Sequence, residues 1–144
     1  MSIDPADPDL AIPLRLDRTA PRAARYCAAS VGSPSPDLRD VVKLLTSELV
    51  TMMVEQRTAR AGELIALRVW MAQDTVRIEL EGRRELFVSL RAERWPEYDL
   101  MLVEKLSDRW SIETDEHHGW VWLEIDRRQG GGREGAGVPG SLRA

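Results

Sequence analysis

The chain has 144 residues, 43% of them hydrophobic and 31% charged, which suits one globular domain, since domains commonly run to ~100–150 residues. A net charge of -4 and a pI near 5.3 give no basic footprint for nucleic acid. The single cysteine, Cys27, excludes an intramolecular disulfide and fits a reducing cytosol. No apolar run approaches the ~20 residues that span a bilayer.

In chain order, residues 1–10 (MSIDPADPDL) are acidic and Pro-rich and lack the basic-then-apolar order of a signal peptide. They read as a flexible N-terminal segment, residues 11–126 as the folded domain and residues 127–144 as a disordered Gly-rich tail with almost nothing to bury. A cytoplasmic location is expected. AIPLRLD (11–17) alternates as a half-buried strand does. Thr19 is placed to cap a helix that Gly32 ends. Ser35, Pro36 and Asp37 form a second helix start, followed by Leu38, Val42, Leu45, Leu49 and Met52 in one apolar stripe.

The period then changes. ELIALRVWMA and TVRIELEG are alternating runs joined by a short AQD turn, which predicts an antiparallel pair. RRELFVSL reads as a further extended piece, an edge strand leading into a loop. PEYDLMLVEKLSD predicts a helix with Leu100, Val103 and Leu106 inward, and RWSIET with GWVWLEID a closing hairpin through DEHHG. The predicted fold class is α+β, a two-layer sandwich of a mixed, mostly antiparallel sheet with helices on one face.

Four stretches in this order, LLTSELVT (44–51), TVRIEL (75–80), LMLVEKLSDRW (100–110) and GWVWLEI (119–125), resemble the anti-sigma-factor and serine-kinase branch of the GHKL ATPases. The resemblance spans most of the chain outside its tails and implies the histidine-kinase-like ATPase fold. It also implies an ATP site, in which Glu48 holds the place of the catalytic base. The family asparagine one turn later, which helps to hold Mg²⁺, is here Met52, and a thioether is no ligand for magnesium. Gly82 stands where an aspartate reads adenine. Glu81 could serve only in a register shifted by one, which turns it to the other sheet face. Glu97, Tyr98 and Asp99 replace the glycines that let backbone N–H groups approach phosphates. Trp120 stands near the supporting threonine, with bulk enough to fill the vacated cavity. Glu48, Met52, Gly82, Asp99 and Trp120 are therefore the positions of a degenerate ATP site.

Other candidates read more plainly. His117 and His118 are adjacent in a hairpin loop and have no third ligand near them in sequence, so no metal site is expected. Cys27 reads as a buried structural thiol. Trp70 and Trp122 fit strand positions, on the helix side or the opposite side. Trp110 fits a structural turn, and Trp95 beside Pro96 is an exposed aromatic or a cap on the core.

The expected function is that of a regulatory, anti-sigma-factor-like protein. It acts by protein–protein binding, with no cofactor, no nucleic-acid or membrane partner and no kinase activity. Its partner is a sigma factor or a STAS-type antagonist, and homodimers are common in the family. The alternative is an ATP- and Mg-dependent serine kinase of that antagonist, with Glu81 or Glu85 taking over ligand duties. A third reading places another small ligand in an apolar pocket near Met52, Met53 and Trp120.

Overall fold

The computed structural model describes residues 7–92 and 97–127, with backbone alone at 91–92 and 97–100. The elements are β1 (Leu10–Arg15), α1 (Ala20–Ala29), α2 (Pro36–Val54), β2 (Leu64–Met71), β3 (Thr75–Arg83), α3 (Arg84–Ala92), α4 (Glu97–Leu106), β4 (Arg109–Thr114) and β5 (His118–Asp126). The strands form one five-stranded sheet in the order β1-β2-β3-β5-β4, and every pairing in it is antiparallel. Helices cover one face, so the α+β two-layer sandwich holds.

Strand alternation decides what each face carries. Ile65, Leu67 and Val69 of β2, Val76, Ile78 and Leu80 of β3, and Val121, Leu123 and Ile125 of β5 all point to the helices and are at most 7% exposed. Each such side chain contributes about 1.5–3 kcal/mol by leaving water. The helix layer meets them with Val42, Leu45, Leu49, Val50, Met52 and Met53 of α2. Ala20, Ala24 and Ala28, one every fourth residue, are buried on the side of α1 that lies against α2, and their small size lets the two helices close.

Helix α2 starts as its residues dictate. The Ser35 hydroxyl accepts from Leu38 N–H at 3.2 Å, Pro36 occupies the first turn and Asp37 faces the positive end. Thr19 behaves differently from expectation, because its side chain makes no cap bond. The Asp17 carboxylate instead accepts from both Thr19 N–H (2.9 Å) and its hydroxyl (2.7 Å). These bonds hold the Asp17 carboxyl below its ordinary range. Just past α1, Gly32 has φ of +62°, which supplies the expected stop.

Residues 84–92 correct the expectation of an extended piece, for all of RRELFVSL after Arg83 lies in helix α3. A strand would put Leu86, Val88 and Leu90 on one face. Here Leu86, Phe87 and Leu90 are buried and Val88 is exposed, which is a helical pattern. Both ends of the sheet carry further attachments. Asp9 accepts from Met71 N–H and donates to Val69, so the sheet starts before residue 11. Arg127 is tied to Asp74 and Ala72, so the fold extends past 126. Among the described residues no helix is long and apolar enough to cross a membrane.

Candidate functional site

Strands β3 and β5 place Gly82 directly opposite Gly119. Neither has a positive φ, so backbone conformation does not require glycine at either position. What requires it is Phe87. A Cβ on Gly119 would lie 2.5 Å from Phe87 Cβ and Cγ and 2.6 Å from Cδ2. A Cβ on Gly82 would meet Ile65 Cγ2 at 3.0 Å and Phe87 Cε2 at 3.4 Å. The fully buried Phe87 side chain thus spans the glycine pair on the helix side of the sheet.

The start of α3 is anchored by a charged clasp. Arg83, the last residue of β3, holds Glu63 in a fork, with Nε to Oε2 at 2.8 Å and Nη2 to Oε1 at 2.9 Å. The same Nη2 donates to Thr58 O at 2.8 Å, and Nη1 lies 3.6 Å from Glu85. The guanidinium holds the Glu63 carboxyl below the ordinary glutamate range. Two buried leucines, Leu86 and Leu90, complete the attachment. The clasp thus stands next to the start of the helix that carries Phe87.

The positions singled out in sequence fall around this point in different ways. Met52 is 4% exposed and belongs to the hydrophobic core, while its carbonyl accepts from Gln56 Nε2 at 3.1 Å. Glu48 is half-buried one turn earlier on α2. Gly82 offers no carboxylate. Glu81 lies on the opposite face, 2.7 Å from Arg68, and Glu85 is exposed beside Arg83, so neither supplies the missing acceptor. Asp99 falls in the first turn of α4. With a thioether at position 52 and no side chain at 82, these two positions offer no ligand to a magnesium nucleotide.

Trp120 corrects a further expectation. It alternates with Val121 and stands opposite Glu81, beside His118 at 6.3 Å between rings, on the face away from the helices. It fills no cavity next to Gly82. Gly119 is the cross-strand neighbour, and Phe87 is the filler. The apolar pocket of Met52, Met53 and Trp120 does not assemble either, because the two methionines are core and the tryptophan lies across the sheet. Sequence reasoning missed Gly119 and Phe87, although a glycine inside a strand pattern is a signal of close approach.

The uncovered face is polar and internally paired. Arg68 reaches Glu81 (2.7 Å) and Glu79 (3.1 Å). Arg77 reaches Glu79 (3.3 Å) and Glu124 (3.0 Å), and Arg109 reaches Glu124 (2.9 Å) and Asp126 (2.6 Å). Arg77 also lies over the rings of Trp122 at 4.4 Å and Trp70 at 5.7 Å. Trp70 and Trp122 therefore both take the side away from the helices. Trp122 Nε1 donates to Glu113, whereas the buried Trp70 Nε1 has no acceptor among the described residues. Asp74, Thr75, Arg109 and Asp126 line an open cleft of about 500 Å³, at the opposite end of β3 from Gly82.

The remaining candidates are structural. His117 and His118 are exposed, and their backbone N–H groups both donate to Asp115. Among the described residues no cluster of three His, Cys, Asp or Glu side chains could hold a metal. Cys27 is half-buried, less enclosed than its alanine neighbours suggested. Trp110 packs against the core and donates to Glu104 at 3.3 Å. Trp95 and Pro96 lie outside the described residues.

Neither a protein-family model nor a curated protein matches the chain.

Proposed function

We propose that this chain is a regulatory, anti-sigma-factor-like domain of the histidine-kinase-like ATPase fold that acts by binding a protein and uses no nucleotide. The observation that carries the reading is Phe87 seated on Gly82 and Gly119. Position 82 is where the resemblance calls for an adenine-reading aspartate, and the space in front of it is filled by the protein's own ring. Met52 in the core supports the same conclusion from the metal side.

A domain of this kind does its work through surfaces. The resemblance suggests a sigma factor or a STAS-type antagonist as partner in the cytoplasm, and a second copy of the chain as a further one. Glu48 remains as a helix carboxylate without a phosphoryl group to act on, because a general base needs a positioned substrate.

Titration calorimetry of the purified chain with ATP and excess Mg²⁺ tests the reading. The expected result is no saturable heat and no thermal shift at millimolar nucleotide. Saturable binding would overturn it in favour of the serine-kinase alternative. Co-purification with a sigma factor or a STAS-domain protein would then identify which partner is bound.

A further inference from the structure

We infer that Trp120, with Glu81 and Glu113 on either side of it, is a docking point for an arginine side chain of a partner protein. The register sets these residues in one row across the sheet, with Glu81 of β3 and Glu113 of β4 both opposite Trp120 of β5. Directly opposite side chains share a face and stand about 5 Å apart at Cβ. That face is the one without helices. The half-buried indole therefore meets solvent between two carboxylates, with the His118 ring at its border, 6.3 Å away.

Two residues further along β5 the molecule holds a completed version of the same arrangement. There Arg77 lies 4.4 Å over the Trp122 ring, while Glu79 and Glu124 take its guanidinium at 3.3 and 3.0 Å. A planar guanidinium stacks on an indole face and still bonds carboxylates through its rim, which a compact ammonium cannot do equally well. Trp120 repeats the ring and the two carboxylates without the arginine. Among the described residues no cation lies over its ring. Glu113 has no cation beside it among those residues either, and Trp122 Nε1 donates to it at 3.1 Å. Glu81 holds Arg68 at 2.7 Å through Oε1, which leaves Oε2 for a second donor. What the row lacks is a planar cation, and in a protein that group is arginine. The inference rests on the protein-binding reading above for the nature of its partner.

The test is ¹H–¹⁵N NMR of the full chain titrated with a capped Gly-Arg-Gly peptide and read at the indole N–H of Trp120. A saturable shift is expected in the millimolar range (~mM), as suits a single side chain. The same peptide with neutral citrulline for arginine should leave the signal in place. Glu113→Gln, which removes no ion pair within the chain, should weaken the response about fivefold. The Trp122 indole should stay silent while Arg77 covers it, and Arg77→Ala should make it respond as well. If Arg77→Ala does not fold, the Glu113→Gln comparison carries the test. No saturable shift up to roughly 50 mM peptide, or an equal response to citrulline, would overturn the inference. A Trp120 signal that moves with the chain's own concentration would assign the place to a second copy and overturn it too. Failure here is distinct from failure of the functional reading, because ATP binding and the peptide response are measured separately.

Discussion

The two faces of the sheet are built on the same strands and the same pairing, yet they use opposite chemistry. Toward the helices, β2, β3 and β5 present Val, Ile and Leu, and where they present glycine a phenylalanine ring takes the room. Away from the helices, the alternate residues form a ladder of three arginines and four carboxylates from Glu81 to Asp126, with two tryptophans stacked on its central arginine. The first face is held by shape, which tolerates no added atom. The second is held by charge pairs in partial contact with water, which are replaceable and individually weak. Of the positions that the ATPase resemblance singles out, Met52 lies in the core and Trp120 on the charged face, so the sheet keeps these two apart.

Breaking the first face should have the largest effect. Gly119→Ala forces a methyl into Phe87 and is expected to cost about 1–3 kcal/mol or more in urea denaturation. Gly82→Ala should cost less, since its nearest contacts are a terminal methyl at 3.0 Å and a ring edge at 3.4 Å. Equal costs would show that the ring is not centred on Gly119. On the second face, Arg77→Met keeps an apolar stem between Trp70 and Trp122 but removes two ion pairs and both cation–π contacts. A loss of about 1–2 kcal/mol is expected, with a change in tryptophan fluorescence that Gly119→Ala does not reproduce.

The smallest effect sharpens the link between the faces and the clasp. The folded pKa of Glu63 lies below its unfolded value, chiefly through the Arg83 hydrogen bonds. Its stabilisation is therefore fully present above a free glutamate's pKa, near 4.5, and lost as pH falls through the lower folded value. Glu63→Gln should be less stable than the unaltered protein at pH 7, and the gap should narrow as the solution is acidified below that point. A gap that stays constant with pH would mean that the ion pair contributes nothing.

The strands, both hairpins and helix α2 were legible because their signals are local: a period of two, or Ser35-Pro36-Asp37 ahead of a period near 3.6. Helix α3 was not, because RRELFVSL is short and satisfies both periods until Val88 is seen to be exposed. Trp120 was misplaced for a related reason. Strand β5 has apolar residues on both faces, so alternation alone does not say whether Trp120 or Val121 meets the helices. Met52 was legible as core, and Gly82 as a strand residue that brings no side chain. Phe87 was not legible as their counterpart, because its contact with Gly119 joins residues 87 and 119 across the sheet, and no spacing in the sequence encodes that distance.

The proline in β1 has a consequence for how the sheet meets other chains. Leu16 N–H donates to Glu63 O, and alternation along the strand then turns the nitrogen of Pro13 outward, away from β2. An approaching strand would find no donor there, so this border resists growth. The other border, β4, contains no proline in Arg109–Thr114. If the protein recruits a neighbour by extending its sheet, chemistry gives it one usable side, and such an assembly would stop at two copies instead of running on as a fibre.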